Sequence, residues 1–218
     1  DLHSTSRRQR QMCIRDSSPD GQTIAFSYQG DIYTVPSSGG KARQLTTHPA
    51  HDTRPVWSPD GQRIAFASNR SGNFDVFLMN KEGGEPKRLT THSTNEYPTT
   101  FKDNGHILYL ANVLQDAKDI QFPGTRFMQV YEISTDGGRP DLYSSLYMEN
   151  IALSKDGSKL LYNDYKGYED PWRKHHQSSI TRDIWLCTLG KDRSFQKVTT
   201  FGGEDRNPCL LYTSQSPR

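Results

Sequence analysis

The chain has 218 residues, of which 32% are hydrophobic and 11% aromatic, and its formal net charge is +2. This length allows one or two domains with a buried core, and the aromatic content is too high for a disordered chain. Five of the 27 basic and two of the 25 acidic residues lie in the two end segments, which leaves 22 basic and 23 acidic residues in the body. That balance excludes the basic footprint of a nucleic-acid-binding domain, and no apolar run approaches the roughly 18 residues that predict a membrane span.

The two ends of the chain differ in character from the body. Residues 7–17 read RRQRQMCIRDS and residues 209–218 read CLLYTSQSPR, and both stretches resemble translated sequencing-adaptor text. We therefore interpret residues 1–16 and 209–218 as non-native tails, and the chain as a fragment of a longer protein. Cys13 and Cys209 fall in these stretches, so we expect the third cysteine, Cys187, to be a packed thiol within a strand.

The body repeats one unit four times. The first two copies open with Ser-Pro-Asp-Gly at residues 18–21 and 58–61, and the third and fourth open with related sequences at 102–105 and 154–157. Proline presets φ, aspartate bonds nearby backbone and glycine accepts positive φ, so each sequence favours a tight turn. The apolar β-rich run after each turn, such as Ile24-Ala25-Phe26, predicts a strand that is buried on both faces.

Each copy continues in the same way. An alternating, half-buried strand comes next, then a glycine-containing turn, then a short last strand. Three of the alternating strands begin with an aspartate, namely Asp31, Asp75 and Asp183. Their recurrence predicts a structural role, and we expect the carboxylates to accept backbone N–H bonds at the turn.

Four strands per unit, at a period of about 40 to 54 residues, are typical of a β-propeller blade. We predict an all-β fold, a partial β-propeller of about four four-stranded antiparallel blades that form an open arc. The blades should cover about residues 17–48, 53–91, 97–147 and 149–201, with a fifth starting at 204–208. A β-sandwich is the weaker alternative, because it would not repeat the same turn with the same following strand.

Large side chains should hold neighbouring blades together, and each fully buried one contributes about 1.5–3 kcal/mol. The outer faces of the first and last blades would have no neighbour, so we expect a weakly stable or aggregation-prone piece. The expected contact residues are Trp57, Phe66, Phe77, Tyr109 and Trp185.

Two units carry insertions between their second and third strands, at residues 112–128 and 163–182. The second insertion is dense in aromatic and basic residues, which suit contact with a peptide, a carboxylate or a neighbouring domain. A self-packed loop that covers the blade edge is the alternative interpretation. The candidate docking residues are Trp172, Arg173, Lys174, His175, His176 and Arg182.

The sequence contains none of the common catalytic or cofactor motifs: no Gly-x-Ser-x-Gly, His-Glu-x-x-His, Cys-x-x-Cys or phosphate-binding glycine loop. His175 and His176 are adjacent and lack an acidic or cysteine partner at metal-ligand spacing. We therefore predict no catalytic residue, no metal site and no cofactor in this chain.

The repeat resembles the WD-like propeller repeats of TolB and of tricorn proteases. Three segments are similar to the N-terminal propeller of bacterial tricorn-like serine peptidases: residues 30–36 (GDIYTVP), 73–79 (NFDVFLM) and 173–185 (RKHHQSSITRDIW). The resemblance covers about residues 17–208, and the insertion before Asp183 is its more specific element.

The resemblance implies a module of a larger peptidase. In that family a second propeller, a PDZ-like domain and a serine-peptidase domain follow, so the catalytic residues would lie outside this chain. The implied role is to dock or admit peptides for the downstream proteolytic site, and the implied partners are the other domains of the parent protein. The implied location is the periplasm or another exported compartment. Two alternatives stay open: a TolB-like protein-binding scaffold, and the propeller of a prolyl-oligopeptidase-type hydrolase. The sequence downstream of this chain would separate the three.

Overall fold

A computed structural model of the chain describes residues 15–112, 128–154, 156–166, 180–190, 192–203, 205 and 208. These residues form sixteen β-strands in four antiparallel four-stranded sheets. They contain no helix, and hence none that could cross a membrane. Each sheet uses four consecutive strands in chain order, which is the arrangement of a propeller blade. The prediction of an all-β partial propeller with four blades is confirmed.

The strands of the first two sheets, blades 1 and 2, lie on both sides of the Ser-Pro-Asp-Gly turns. Blade 1 contains β1 (Arg15–Ser17), β2 (Thr23–Tyr28), β3 (Asp31–Pro36) and β4 (Arg43–Gln44). Blade 2 contains β5 (Asp52–Trp57), β6 (Arg63–Ser68), β7 (Asp75–Asn80) and β8 (Gly83–Arg88).

The other two sheets, blades 3 and 4, carry the predicted insertions. Blade 3 contains β9 (Glu96–Asp103), β10 (His106–Ala111), β11 (Gln129–Ser134) and β12 (Asp141–Ser144). Blade 4 contains β13 (Met148–Leu153), β14 (Lys159–Asp164), β15 (Ile184–Thr188) and β16 (Ser194–Lys197). Both insertions therefore follow the second strand of their blade, although β14 continues two residues beyond the expected end, to Asp164.

The chain divides into two compact units. The first holds blades 1 to 3, apart from Gln129 and Ser144 at strand ends, and the second holds blade 4. Within the first unit the innermost strand of each blade packs on the preceding blade: β5 on β1, β2 and β3, and β9 on β5, β6 and β7.

Blade 2 has two apolar faces because alternate residues of a strand point to opposite sides. Ile64, Phe66, Phe77 and Met79 belong to one buried cluster with Ala25, Ile32 and Leu45 of blade 1. The intervening residues belong to a second cluster with blade 3; the members from blade 2 are Val56, Ala65, Val76, Leu78 and Leu89. A middle blade therefore buries both faces, as the near-continuous apolar runs predict.

The Ser-Pro-Asp-Gly turn closes through its side chains. The hydroxyl of Ser58 donates to Oδ1 of Asp60 at 2.6 Å and accepts the N–H of Arg63 at 2.9 Å, and Gly61 has a φ of 65°. The turns at Ser18 and Ser154 repeat these bonds. The turn of blade 3 is shorter, because β9 continues to Asp103 and leaves only two residues before β10.

The prediction for the recurrent aspartates is wrong about their donors. Side chains from the last strand of the blade bind the carboxylates: Gln44 binds Asp31 at 2.9 Å, Arg88 binds Asp75 at 2.9 Å and Lys197 binds Asp183 at 2.9 Å. The backbone N–H that follows each aspartate donates instead to a threonine hydroxyl; the three threonines are Thr46, Thr90 and Thr199. The aspartate and threonine together fix the last strand against the third.

Cys187 is a buried free thiol on β15 with 2% of its surface exposed, as predicted. Burial raises the pKa of this thiol above its usual value, which disfavours the thiolate. Its role is packing.

Candidate binding surface

Five of the six predicted docking residues, Trp172 to His176, lie outside the described residues. The sixth, Arg182, is largely buried at the end of the same insertion. Its Nε lies 3.0 Å from Oε2 of Glu149 on β13, and its guanidinium lies 5.0 Å from the ring centre of Tyr165. Arg182 thus fastens the end of the insertion to the innermost strand of blade 4.

Charged contacts hold the two ends of this insertion at one place on blade 4. Asp164 accepts the N–H of Asp183 at 2.7 Å and the indole N–H of Trp185 at 3.1 Å, and Lys166 Nζ lies 2.7 Å from Oδ2 of Asp183. Burial opposes ionisation of Asp183, but the bonds from Lys166 and Lys197 outweigh it and hold its pKa below the usual value. The long insertion therefore leaves and re-enters the blade through a rigid, ion-paired base.

A row of aromatic and basic side chains runs across blades 2 and 3 in the first unit. We call it the aromatic row, and its members are His51, Phe74, Tyr97 and Arg54. The ring centres of His51 and Phe74 lie 6.1 Å apart, those of Phe74 and Tyr97 lie 5.4 Å apart, and the Arg54 guanidinium lies 4.1 Å from the centre of the Tyr97 ring. His51 is exposed and the other three are half-buried, so every member of the row keeps some surface in contact with solvent.

The backbone around the aromatic row explains how Arg54 reaches it. Arg54 has a φ of 53°, which non-glycine residues adopt rarely, and it sits in the irregular register between Thr53 and Val56 of β5. A bulge of this kind turns a side chain away from its regular direction.

Asparagine side chains hold the connections that carry the rings. Asn69 accepts the N–H of His51 at 2.7 Å, and Asn95 accepts the N–H of Phe74 at 3.1 Å. The amide of Asn73 donates to the carbonyls of His92 at 2.9 Å and Thr94 at 2.7 Å. The rings therefore project from connections that side-chain hydrogen bonds keep in place.

Two buried acidic residues are sequence neighbours of the aromatic row: Asp52 follows His51, and Glu96 precedes Tyr97. Asp52 is fully buried and forms an ion pair of 2.9 Å with Arg70, whose guanidinium also lies 4.8 Å from the ring centre of Phe77. Glu96 has 1% of its surface exposed. Burial raises the pKa of Glu96 to about 7, the nearby charge of Asp75 adds to the rise, and a bond from Thr90 opposes it.

The histidines in the described part of the chain make local contacts. Nδ1 of His92 lies 3.0 Å from the hydroxyl of Thr94, and Nδ1 of His106 lies 2.9 Å from Asp103. Nδ1 of His48 accepts the N–H of Ala50 at 3.0 Å. No group of three or more His, Cys, Asp or Glu side chains with metal-binding geometry occurs among the described residues. The geometry of the aromatic row suits recognition of a ligand by aromatic rings and a guanidinium group.

The sequence did not reveal the aromatic row. The three ring residues are far apart in the sequence: 23 positions separate His51 from Phe74, and another 23 separate Phe74 from Tyr97. Each lies in or beside a connection between strands. A signal is present in retrospect, because Phe74 directly precedes Asp75 and Tyr97 directly follows Glu96, at the starts of strands that meet at the same side of the first unit.

Comparison with known proteins agrees with the propeller repeat. Residues 11–214 match the family described as the tricorn protease N-terminal β-propeller domain. Among curated proteins, the chain is similar to a TolB homologue of Chlorobium luteolum (41% identical over 56 residues, 26% of this chain and 13% of that protein). It is also similar to tricorn protease homologue 1 of Streptomyces coelicolor (35% identical over 65 residues, 30% of this chain and 6% of that protein). The chain thus matches only a small part of the length of these relatives.

Two solved structures share the fold. The crystal structure of the tricorn protease matches with a TM-score of 0.63 at 20% identity, over 84% of this chain and 18% of that chain. A putative TolB from Agrobacterium tumefaciens matches with a TM-score of 0.61 at 23% identity, over 88% of this chain and 68% of that chain. At these identities the likeness concerns the fold.

Proposed function

Because this chain belongs to the tricorn protease N-terminal β-propeller family, we propose that it is a non-catalytic module that docks or admits peptides for a proteolytic domain of the same parent protein. The parent would be a serine-type peptidase, and its downstream domains would be the first partners of this propeller. The family match supports the architecture, and the similarity to a tricorn protease homologue supports the link to proteolysis.

The aromatic row is the observation that carries the docking proposal. Its exposed imidazole and half-buried rings offer flat surfaces for the apolar and aromatic side chains of a peptide. The positive charge of Arg54 lies at one end of the row and favours a ligand that carries acidic groups. A rigid β scaffold with recognition groups at its connections is a common way to hold a ligand.

A second candidate is a protein-binding scaffold without proteolysis, as the TolB likeness suggests. The structural match to the putative TolB covers 68% of that chain, which favours this candidate. The same row would then contact a folded protein surface instead of an extended peptide. A third candidate, the propeller of a prolyl-oligopeptidase-type hydrolase, predicts a Gly-x-Ser-x-Gly segment in the parent protein.

The location that goes with this role is the periplasm or another exported compartment. This location rests on the resemblance to exported family members. The proposal includes no nucleic-acid partner, because the body of the chain is nearly neutral. Fractionation of cells that express the full parent gene, with immunoblotting of this propeller, tests it. Recovery in the cytoplasmic fraction alone would contradict it.

Peptide docking can be measured directly on the purified chain. We expect a fluorescein-labelled decapeptide rich in Glu and Tyr to bind with a Kd in the micromolar range, and the binding to weaken as salt rises. A Gly-Ser peptide of the same length is the control and should show no change in anisotropy. Failure of the acidic aromatic peptide to bind at about 1 mM would refute docking by this surface.

The chain alone should not hydrolyse peptides. Incubation of the same labelled peptide with the pure chain, followed by mass spectrometry, should return intact peptide. Turnover that is lost in a His175→Ala or His176→Ala variant would show a catalytic site within the propeller and overturn the non-catalytic role.

A further inference from the structure

Two buried carboxyl groups lie at the contact between blades 2 and 3. Asp75 is the first residue of β7 and Glu96 is the first residue of β9, and 0% and 1% of their surfaces are exposed. Burial raises the pKa of both carboxyls, and the charge of Asp75 raises the pKa of Glu96 further. We call these two residues the acid pair.

The acid pair shares its counter-charge. Among the described residues, Arg88 is the cation that acts on both carboxyls, and its Nη2 lies 2.9 Å from Oδ2 of Asp75. Asp52, the first residue of β5, has an arginine of its own: Arg70 donates to both of its carboxylate oxygens, at 2.9 and 3.1 Å. Two ionised carboxylates beside one guanidinium leave a buried negative charge uncompensated, so one proton on the pair is favoured.

The polar atoms around Glu96 also favour a proton at this place. Oε2 of Glu96 and the hydroxyl of Tyr109 are buried and have no hydrogen-bond partner within the described part of the chain. Burial raises the pKa of Tyr109 far above its usual value, and the charge of Glu96 adds to the rise. Hydrogen bonding to Glu96 opposes the rise in the pKa of Asp75. A protonated Glu96 supplies a donor to the neighbouring carboxylate, which an ionised Glu96 cannot do.

The acid pair is joined directly to the aromatic row. Asp75 follows Phe74 and Glu96 precedes Tyr97 in the sequence. The backbone N–H of Glu96 donates to the carbonyl of Phe74 at 2.7 Å. The two rings, whose centres lie 5.4 Å apart, therefore belong to the immediate neighbours of the two carboxyl groups. A change in the separation of the acid pair moves the two rings relative to each other.

From this arrangement we infer that the acid pair controls the aromatic row by holding a single proton: the row is assembled while Glu96 is protonated, and it opens when that proton leaves to solvent. Ionised Glu96 faces ionised Asp75 where water is excluded, and like charges repel most strongly there. Opening of the contact between β7 and β9 lets water reach the carboxylate. The consequence for a ligand rests on the proposed function, whereas the consequence for the row itself does not.

The groups that surround Glu96 limit which proton can be involved. Burial raises the pKa of Tyr109 and of Tyr131, so both phenols stay neutral near neutral pH, and an arginine stays charged. Histidine is the other residue type that changes charge near neutral pH. From β6, Ala65 faces blade 3. Among the described residues, the titratable or charged side chains around Glu96 are Asp75 on β7, Arg88 on β8, His92 in the next connection, Tyr109 on β10 and Tyr131 on β11, with Arg54 on β5 and His51 in the adjoining aromatic row.

Hydrogen exchange of the whole chain without ligand, followed by mass spectrometry at about pH 5 and about pH 8, tests this control. The segments to measure are 73–77 and 95–98, with each rate divided by the intrinsic rate at the same pH. We expect their protection to fall at least about tenfold from the lower to the higher pH in the unmodified chain, and to change less than about twofold in Glu96→Gln. Glu132→Gln is the matched control, because Glu132 on β11 has its own partner, Lys102, at 2.8 Å. It should respond as the unmodified chain does.

Two results would overturn the inference. Equal protection at both pH values in the unmodified chain would show that the contact does not respond to a proton. A fall that persists in Glu96→Gln would assign the response to His92 or His51. If Glu96→Gln lacks the β-sheet circular dichroism of the unmodified chain, a His92→Gln variant decides: the fall must persist in it and must be confined to 73–77 and 95–98 relative to β2.

The same proton should set the affinity of the aromatic row for a ligand. The labelled decapeptide rich in Glu and Tyr should bind the unmodified chain at least about threefold more weakly at about pH 8 than at about pH 6, with a smaller change for Glu96→Gln. Equal changes in both proteins would contradict control of binding by Glu96. A peptide that binds at neither pH would refute docking at the aromatic row, and the exchange result alone would then decide the inference.

Discussion

The guanidinium carbon of Arg54 lies 4.1 Å from the centre of the Tyr97 ring, so the innermost strands of blades 2 and 3 meet through a cation–aromatic pair. The positive φ of Arg54 makes this contact, because it turns the side chain out of the regular direction of β5. The pair joins two blades and forms the basic end of the aromatic row. A change at either residue should therefore affect ligand binding more than the fold of one blade.

Arg54→Ala should weaken binding of the acidic aromatic peptide. Loss of a guanidinium at a recognition surface costs about 1 to 2 kcal/mol, or roughly five- to thirtyfold in Kd. Fluorescence anisotropy of the labelled decapeptide measures this change. Arg43→Ala is the matched control, because Arg43 is an exposed arginine on β4 outside the row and pairs with Glu82. Equal Kd values for both variants and the unmodified chain would place the peptide elsewhere.

Ser58→Ala should destabilise the chain by about 1 to 2 kcal/mol, because the turn loses a buried hydroxyl that acts as one donor and one acceptor. The hydroxyl of Ser58 serves both Asp60 and the N–H of Arg63. Urea unfolding followed by circular dichroism gives the free energy of unfolding. Ser154→Ala removes the same bonds from a more solvent-accessible turn, so its cost should be smaller. A larger cost at Ser154 would contradict this explanation.

Glu96 should make the chain less stable as pH rises. Its pKa is about 7 in the folded chain and lies near 4.5 in the unfolded one, so the folded state binds more protons between these values and the free energy of unfolding falls from about pH 4.5 to about pH 7. Glu96→Gln cannot titrate and should remove this part of the slope. The free energy of unfolding of Glu96→Gln, relative to that of the unmodified chain, should therefore rise by roughly 1 to 3 kcal/mol as the pH increases across that range.

Urea unfolding of both proteins at about pH 5 and about pH 8 measures this difference. The comparison between the two proteins cancels the contributions of groups that both retain. The contribution of Asp75 does not cancel fully, because burial also raises the pKa of Asp75 and its charge acts on Glu96. A stability difference that is the same at both pH values would show that Glu96 does not titrate as described.

Phe66→Ala and Phe26→Ala form a matched pair that tests packing between blades. Phe66 is fully buried between blades 1 and 2, so its truncation should cost about 3 to 5 kcal/mol. Phe26 has the equivalent place in blade 1 but is half-buried, so the same truncation should cost about 1 kcal/mol. Urea unfolding followed by circular dichroism measures both values. Similar costs would mean that Phe26 packs as fully as Phe66 does.

The sequence by itself determined the repeat, the turns and the order of strands. Ser58, Asp60 and Gly61 specify their turn through bonds that span at most five residues, so the same local rule gives the same turn wherever it recurs. The alternation of strands such as β3 follows from the two-residue period of a β-strand. Both features depend on neighbours along the chain, and a sequence shows those neighbours.

Only the tertiary structure decided which distant groups meet. Arg88 on β8 reaches Asp75 on the neighbouring strand β7, although a backbone donor at the turn was expected from the local sequence. Tyr97 meets Phe74 and Arg54 because one blade packs on the next, and Arg54 does so through a backbone conformation that its residue type does not favour. Contacts between strands and blades depend on register and packing geometry, and these arise only when the whole set of apolar faces is buried together.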